Sequence, residues 1–236
     1  MHPGRHQDGL ARRRAKARET THRGVKVKSP AVIVPLKKAN PKSRLSGILS
    51  LEERRELVRV MLQDVIKPIE SGGLLNQTYL VSSDEESLRF ASQLGVRPVR
   101  EASEKGVNAA VERGMRETPD SEGWLILPAD IPFLTNRDLS RVLSFCESGA
   151  AIVISPSREF NGTNLLLLER GARLKLSYDM NSFSSHLAAA ARSRFSVAVY
   201  CSWTVTLDID SVEDVRLALS KGVKNGTTTF LKSKLP

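Results

Sequence analysis

Trp-Leu-Ile-Leu-Pro-Ala-Asp-Ile-Pro, at residues 124–132, is the stretch of this chain that decides its fold. Its first four residues are large and apolar without alternation, which predicts a strand buried on both faces, as in a parallel sheet. Pro128 and Pro132 cannot donate ladder hydrogen bonds, so they end that strand. Asp130 therefore follows the carboxyl end of the strand, where open α/β sheets bind ligands. A carboxylate there is costly to bury unpaired and useful if it holds a cation, which makes Asp130 the first candidate site residue.

The rest of the chain alternates apolar, strand-like runs with segments of helical periodicity. This alternation predicts a single three-layer α/β/α domain around a mostly parallel, twisted sheet. The predicted strands span 31–35, 77–82, 96–99, 124–127, 150–155, 164–168, 195–200 and 203–207. The predicted helices span 84–94, 104–117, 136–147, 182–192 and 211–219, together with one that a capping box at 50–53 opens and that Pro68 and Gly72-Gly73 end.

The net charge of +10 is concentrated at the amino terminus. Residues 1–28 hold nine Lys/Arg and two acidic residues, a net +7, which leaves +3 for residues 29–236. We expect residues 1–29 to form a basic, disordered leader, because they contain little apolar sequence and no aromatic residue to stack on bases. We therefore expect no nucleic acid partner, although a nucleic-acid-binding arm is the alternative function of this leader. The α/β domain is predicted over 30–222, and a short polar tail over 223–236.

Bulk composition narrows the class of protein. Hydrophobic residues make up 40% of the chain, which suffices for a core, yet no apolar run approaches the roughly 18 residues that a membrane span needs. The amino terminus also lacks the apolar stretch of a signal peptide. Cys146 and Cys201 are isolated and lack metal-site spacing, so we expect inert thiols. We therefore expect a soluble, cytoplasmic protein with no membrane partner.

A second acidic site, Asp208 and Asp210, follows the strand predicted over 203–207. Residues two apart in an extended chain point to the same side, so these carboxylates should converge. Converging carboxylates repel unless a cation lies between them, and Mg²⁺ is commonly held in this way. Asp210 has an alternative role as the cap of a helix that starts near Ser211, with Glu213 at the third position. Capping does not account for Asp208, so we favour one metal site shared with Asp130.

The loop after the first strand is basic. It contains Lys37, Lys38, Lys42 and Arg44. These cations could hold a triphosphate and stabilise a pyrophosphate leaving group. The loop has neither the Walker pattern nor the glycines of a dinucleotide fingerprint, so its chemistry would differ from both. A solvated basic loop is the alternative interpretation.

Five motifs occur in a fixed order along residues 31–216. They are Pro-Leu-Lys-x-x-x-x-Lys-Ser-Arg-Leu at 35–45, Pro-Ala-Asp-Ile-Pro at 128–132, Gly-Thr-Asn at 162–164, Ser-Phe-x-x-His at 182–186 and Leu-Asp-Ile-Asp-Ser-x-Glu-Asp at 207–214. In this order the sequence resembles the 2-phospho-L-lactate guanylyltransferase family, whose members act in the biosynthesis of coenzyme F-420. The resemblance implies a nucleotide-diphospho-sugar-transferase-like fold. It also implies that the phosphate of 2-phospho-L-lactate attacks the α-phosphorus of GTP, so that pyrophosphate leaves and lactyl-2-diphospho-5′-guanosine forms.

The resemblance also implies roles for individual residues and for partners. Mg²⁺ would be held by Asp130, Asp208 and Asp210, and the catalytic residues would be Asp130 and Lys42. Contacts to the nucleotide would come from Lys37, Lys42, Ser43 and Arg44, with Asn108 of Gly-Val-Asn at 106–108 at the base. Contacts to the acid would come from Thr163, Asn164 and Ser182. The implied partners are GTP and a small phosphorylated hydroxy acid, and a homodimer remains open.

The sequence departs from the family at 178–182, where Tyr-Asp-Met-Asn-Ser replaces the Phe-Gly that often precedes Ser-Phe. Asp179 adds negative charge near an anionic acceptor, so the acceptor stays open between 2-phospho-L-lactate, phosphoenolpyruvate, 3-phosphoglycerate and a sugar phosphate. Structural roles are also open for four of the motif residues. His186 could be a satisfied helical residue, Ser182 a helix N-cap, and Thr163 a turn residue together with Asn164.

Overall fold

The computed structural model describes residues 29–37 and 41–235. The leader predicted over 1–29 lies outside the described residues except for Ser29, and Lys38 of the basic loop also lies outside them. The strands are β1 Ala31–Pro35, β2 Thr78–Ser82, β3 Arg97–Arg100, β4 Gly123–Ile126, β5 Ile152–Pro156, β6 Thr163–Glu169 and β7 Val197–Val199. The helices are α1 Leu51–Ser71, α2 Glu85–Gln93, α3 Val107–Glu117, α4 Asn136–Glu147, α5 Ser182–Arg192, α6 Trp203–Thr206, α7 Val212–Ser220 and α8 Gly226–Lys234.

The strands form a seven-stranded sheet in the order β3-β2-β1-β4-β6-β5-β7. Among these strands β6 alone runs antiparallel to its neighbours β4 and β5. Because β6 is reversed, its amino end lies at the same edge of the sheet as the carboxyl ends of the other strands. The predicted fold class, an α/β domain around a mostly parallel sheet, is confirmed.

The strand of the opening stretch, β4, lies in the middle of this sheet and is buried on both faces. Leu125 packs into a core cluster with α1, α2 and α4, whereas Ile126 packs into a cluster with α3 and α5 on the opposite face. This arrangement gives the three layers that the unalternating apolar run predicted. Asp130 follows the carboxyl end of β4, as expected.

A third apolar cluster lies below one edge of the sheet and holds the loops that follow the strands. It joins Leu45 of the basic loop, Leu207 and Ile209 of the acidic segment, and side chains of α1, α7 and α8. Because Leu207 and Ile209 are buried there, the residues between and after them point to the other side. The cluster thereby fixes the direction of Asp208 and Asp210.

Three predicted features differ from the structure, two in the last third of the chain and one at Pro68. The segment 203–207, predicted as a strand from its Thr and Val content, contains the short helix α6 instead. Its backbone turns because Val205 and Thr206 donate to Ser202 O, and Trp203 packs against Phe133 with ring centroids 5.6 Å apart. Tertiary packing here overrides a weak β propensity. The helix after the capping box also continues through Pro68 to Ser71.

Residues 223–236, expected to be a short polar tail, contain helix α8. Asn225 caps this helix and donates through Nδ2 to Pro132 O at 2.8 Å. The buried Thr227 donates to Asp64 Oδ2 of α1 through its backbone N–H at 2.7 Å and its hydroxyl at 2.9 Å. The helix is therefore part of the packed domain, held by polar contacts that a search for apolar periodicity does not detect. None of the helices within 29–37 and 41–235 is both long and apolar enough to cross a membrane.

Candidate active site

The acidic segment, residues 207–210, is hydrogen-bonded to the loop that follows β4. The backbone N–H of Ile209 donates to Asp130 O at 3.0 Å, while the Ile209 side chain is buried in the third cluster. Asp208 and Asp210 therefore flank the contact point and lie beside Asp130. The structure brings together the three carboxylates that the sequence placed at the ends of two different segments.

Lys42 lies between two of these carboxylates. Its Nζ is 2.6 Å from Asp130 Oδ2 and 2.5 Å from Asp210 Oδ1, and its side chain is only 8% exposed. Burial by itself lowers the pKa of Lys42, but the charges and hydrogen bonds of the two aspartates outweigh burial and raise the pKa above its ordinary value. Lys42 therefore keeps its charge, and its ammonium neutralises much of the charge of the pair.

The backbone of Lys42 is left-handed, with φ 52° and ψ 43°. This conformation costs free energy in any residue that has a Cβ. Such strain persists where the surrounding structure holds the residue in place. Here the turn at 43–45 and the burial of Leu45 fix the position of the loop. This conformation aims Lys42 into the cleft, while Ser43 and Arg44 remain exposed.

Asp208 has a different environment from the other two carboxylates. Its Oδ1 accepts from Asn164 Nδ2 at 3.1 Å, and the same Nδ2 group lies 3.0 Å from Val205 O. Burial, the main cause, and the negative charge of Asp130 raise the pKa of Asp208 to about 6, although Asn164 and Lys42 act in the opposite direction. Three carboxylates therefore lie near one ammonium, which does not balance their negative charge. The ionised form of Asp208 is the one that this excess charge destabilises.

The carboxylates and Lys42 provide a test of the metal prediction. No three Asp, Glu, His or Cys side chains in the described parts of the chain converge on one point that could hold a metal ion. Asp130 and Asp210 nevertheless already share one cation, the Lys42 ammonium. Carboxylate oxygens are the ligands that hard divalent cations prefer, so the chemistry of this donor set fits such an ion. An ion at Asp130 and Asp210 would take the place of the Lys42 ammonium.

The alternative that Asp210 caps the following helix, with Glu213 at its third position, is wrong. Ser211 is the N-cap of α7, and Asp214 completes the capping box by accepting from the Ser211 backbone N–H at 2.9 Å. Asp214 also accepts from Arg158 Nη2 at 3.0 Å. The carboxylate of Asp210 is therefore not used at the helix end and is directed at Lys42.

Two adjoining cavities, of about 350 Å³ and about 520 Å³, open beside these residues. Both are lined by Asp130, Asp210 and Thr163. Lys37 and Lys42 line the smaller cavity, and Arg44 lines the larger one with Asp208. Both cavities together are large enough for a nucleotide and a small acid. Ser43 does not line either of them.

At the amino end of β6, three buried side chains form a hydrogen-bonded group. Thr163 Oγ1 lies 3.0 Å from His186 Nδ1 and accepts from Ser182 Oγ at 3.2 Å. The backbone N–H of Ser177 donates to His186 Nε2 at 2.9 Å. Burial lowers the pKa of His186 to about 4, so the ring is neutral. His186 is thus a satisfied helical residue, as one of the two interpretations held.

The other structural alternatives for this region are wrong. Thr163 and Asn164 begin strand β6 and do not form a turn. Asn181, with φ 54°, is the residue at the N-cap of α5, and Ser182 is the first residue of that helix. The Ser182 hydroxyl is therefore available to Thr163. Both Thr163 and Ser182 line the larger cavity.

Asn108 is hydrogen-bonded to the segment 178–182, where the sequence departs from the family pattern. Its Oδ1 accepts from the Tyr178 backbone N–H at 2.8 Å, and its Nδ2 donates to Asp179 Oδ2 at 3.3 Å. Asn108 itself does not line either cavity, whereas its neighbour Val107 and Tyr178 line both. The structure therefore places Asn108 behind the wall of the cleft.

Sequence reasoning missed several residues that shape the cleft. Val58 and Met61 line the smaller cavity although their helical spacing in α1 assigned them to the core. Asn164 orients Asp208, which its placement among the acid-contacting residues did not anticipate. Apolar periodicity gives no signal that separates a residue lining a cavity from one buried in the core.

We expect Asp208→Asn to stabilise the metal-free protein at pH 7.5, with a melting temperature higher by about 5 °C in a chelating buffer. The pKa of Asp208 in the folded state is about 6, above the ordinary 3.8. The ionised carboxylate therefore destabilises the folded state above about pH 6, and this cost disappears as the pH falls towards 4. Thermal unfolding at a series of pH values measures it. A difference that stays constant from pH 7.5 to pH 4 would contradict the assignment, and the exposed Asp120→Asn is the control.

Comparison with known proteins places this geometry in context. A family model described as "Guanylyl transferase CofC like" matches residues 30–235. The 2-phospho-L-lactate guanylyltransferase of Methanocaldococcus jannaschii is 34% identical over 212 residues, covering 89% of this chain and 90% of that protein. The phosphoenolpyruvate guanylyltransferase of Rubrobacter xylanophilus is 36% identical over 196 residues, covering 81% of this chain and 95% of that protein. The names of these relatives share guanylyl transfer and differ in the acceptor.

Solved structures resemble the chain at lower sequence identity. A protein from Desulfovibrio desulfuricans G20, assigned as a nucleotide-diphospho-sugar transferase, superposes with a TM-score of 0.70 at 14% identity, covering 86% of this chain and 93% of that one. Rv0371C of Mycobacterium tuberculosis, in complex with manganese, superposes with a TM-score of 0.53 at 16% identity, covering 81% of this chain and 98% of that one. These likenesses show the fold, which agrees with the predicted nucleotide-diphospho-sugar-transferase-like architecture.

Proposed function

This chain belongs to the family of CofC-like guanylyl transferases, and on that premise we propose that it joins GTP to 2-phospho-L-lactate in the biosynthesis of coenzyme F-420. A phosphate oxygen of the acid attacks the α-phosphorus of GTP, and the bond from that phosphorus to the bridging oxygen of the β-phosphate breaks. The products are lactyl-2-diphospho-5′-guanosine and pyrophosphate. The enzyme is thus a nucleotidyltransferase, consistent with its relatives.

The observation that carries this proposal is the cluster of Lys42, Asp130 and Asp210 beside the two cavities. Nucleotidyl transfer brings together a triphosphate and an anionic acceptor, so the site must hold both anions and neutralise them. Strand ends that supply carboxylates for a cation, next to a basic loop, meet that need. Family membership identifies the transferred group as guanylyl.

We propose that Asp130, Asp208 and Asp210 hold a divalent cation, with Mg²⁺ as the ion used. When bound, this ion would neutralise phosphate charge and help the pyrophosphate to leave. The raised pKa of Asp208 supports this role, because the site has more negative charge than Lys42 alone can balance.

The chain's own cations act on the nucleotide. In this proposal Lys37, Lys42 and Arg44 contact the phosphates, whereas Ser43, predicted to act with them, lies outside both cavities. Asn108 supports the base pocket by holding the segment at Tyr178. These side chains act on the phosphates through charge and hydrogen bonding, which needs no proton transfer.

The acceptor is positioned by the amino end of β6 and the start of α5. Thr163 and Ser182 contact the acid directly, and Asn164 contributes by orienting Asp208. A phosphate monoester is an anionic nucleophile at neutral pH, so the reaction needs no strong general base. Positioning of the two substrates in the cleft then supplies much of the rate enhancement. In agreement with this, His186, which contacts Thr163 and lines neither cavity, is neutral and buried.

The decisive experiment incubates the protein with GTP, Mg²⁺ and 2-phospho-L-lactate and measures pyrophosphate. We expect release that requires all three components. Parallel reactions with phosphoenolpyruvate and 3-phosphoglycerate identify the preferred acceptor, and reactions with ATP, CTP and UTP test the selectivity for guanine. Absence of release with all three acceptors would overturn the proposal.

A specific observation keeps phosphoenolpyruvate as the second candidate acceptor. Asp179 lines the larger cavity and adds negative charge where the family often has glycine, and one relative is named for phosphoenolpyruvate. The comparisons do not favour a sugar-phosphate acceptor or a nucleic-acid-binding function of the leader. We further propose that the enzyme works in the cytoplasm, and size-exclusion chromatography with light scattering will decide whether it is a homodimer.

A further inference from the structure

The buried group of Thr163, Ser182 and His186 has a defined direction of hydrogen bonding. His186 is fully buried, and its Nε2 faces the Ser177 backbone N–H at 2.9 Å. A backbone N–H can only donate, so Nε2 must be the unprotonated nitrogen of the neutral ring. The ring proton then lies on Nδ1, which faces Thr163 Oγ1 at 3.0 Å. His186 is therefore a donor to Thr163.

The two donors around Thr163 Oγ1 determine the direction of its O–H bond. Its oxygen accepts from His186 Nδ1 and from Ser182 Oγ, which uses both of its lone pairs. Its own proton must then point away from both donors. Thr163 lines both cavities beside Asp130 and Asp210. The hydroxyl thus has a hydrogen to donate into the cleft and no lone pair to present there.

We propose that His186 is a positioning residue that fixes Thr163 as a hydrogen-bond donor to the anionic acceptor. An anionic oxygen only accepts hydrogen bonds, so a hydroxyl that turned its lone pairs towards it would repel it. Because Ser182 and His186 both donate to Thr163 Oγ1, the Thr163 O–H already points towards the acid. The hydroxyl therefore does not have to reorient when the acid binds. The inference rests on the proposed function, since the acid is the ligand that Thr163 contacts.

The Ser177 contact gives His186 a second attachment. Through it the histidine holds the start of the segment 177–182, which contains Asp179 and leads into α5. The Tyr178 ring packs edge-on against the imidazole with centroids 4.8 Å apart. One ring thus joins strand β6 to the segment that carries the departure from the family pattern.

Paired substitutions separate the two contacts of the ring. His186→Asn can place an amide N–H near the former Nδ1, which keeps the donor to Thr163 and gives up the contact with Ser177. His186→Gln can place an amide oxygen near the former Nε2, which keeps the contact with Ser177 and gives up the donor. Ser184→Ala, on the exposed face of the same helix, is the matched control.

We expect His186→Gln to raise the KM for the acceptor roughly 10- to 100-fold, as for a lost hydrogen bond to a charged group, with little change in the KM for GTP. His186→Asn should recover most of that loss, and Thr163→Val should reproduce it. Equal effects of the Asn and Gln variants, or a parallel rise in the KM for GTP, would overturn the inference.

A second measurement is made on the wild-type protein and does not depend on turnover. Nitrogen-15 spectra of histidine-labelled wild-type protein report which ring nitrogen carries the proton. His2, His6 and His22 are the other histidines, and His186→Asn identifies the signal of His186. We expect the neutral Nδ1–H form, and an Nε2–H form would overturn the inference while leaving guanylyl transfer untouched. Conversely, absence of pyrophosphate release with an Nδ1–H signal would refute the proposed function and leave only the direction of the hydrogen bonds at Thr163 and His186 established.

Discussion

Replacement of Lys42 by methionine is expected to lower the rate of guanylyl transfer by about 10³-fold while tightening the binding of a divalent cation to the nucleotide-free protein. The two effects have opposite signs because Lys42 has two roles. In the structure its ammonium lies between Asp130 and Asp210, where it competes with any other cation. In the proposed reaction it contacts phosphates. Methionine keeps the length and the apolar stem but removes the charge.

Titration calorimetry with Mn²⁺ measures the first half of this prediction, and we expect an affinity at least about tenfold higher than in the wild type. Steady-state pyrophosphate release measures the second half. Lys37→Met is the matched control for the Mn²⁺ titration, because Lys37 lines the same cavity and is exposed, and it has no contact with the carboxylates in the structure described. Weaker or unchanged Mn²⁺ binding in Lys42→Met would show that the lysine does not occupy the cation position.

Replacement of Asp130 by asparagine is the other large effect that we expect, with a loss of turnover of about 10³-fold or more and a folded protein. Asparagine keeps the size of the side chain and removes the charge that holds the Lys42 ammonium and would hold the cation. The backbone contact from Ile209 to Asp130 O does not involve the side chain, so the acidic segment should remain in place. Lys42 keeps Asp210 as a partner.

Circular dichroism and thermal unfolding test whether the Asp130→Asn protein is folded, and Mn²⁺ titration tests whether its cation site is lost. The exposed Asp120, in the loop before β4, provides Asp120→Asn as a control for the removal of one negative charge. Near-normal activity of Asp130→Asn would refute the shared cation site. Unfolding of Asp130→Asn would show instead that the Lys42 pair is structural.

The strand and the side-chain directions that position the site could largely be predicted from local sequence. The apolar run before Pro128 predicted a buried central strand, and the structure has β4 at that place. The alternation around Ile209 predicted that Asp208 and Asp210 point to one side, and burial of Ile209 produces that arrangement. Such patterns succeed because burial of one side of an extended segment leaves a period in the sequence. The roles of the site residues in catalysis stay predictions until the variants are measured.

Other features had no local signal. The segment 203–207 has strand-like composition, yet helix α6 forms there because Trp203 packs on Phe133. Helix α8 contains a run of threonines and is held by Asp64, far away in the chain. In both cases the deciding contact lies outside the window of sequence from which a propensity is read.

The sequence by itself determined where each carboxylate and each cation lies relative to its own strand or loop, because strand ends and turns are encoded by neighbouring residues. Only the tertiary structure decided which of them meet. Lys42 is 88 residues from Asp130 and 168 residues from Asp210, and the third apolar cluster brings their segments together. The direction of the Thr163 hydroxyl likewise depends on His186, 23 residues away. Pairing between distant polar groups leaves no period in the sequence, since it is fixed by the packing of the whole core.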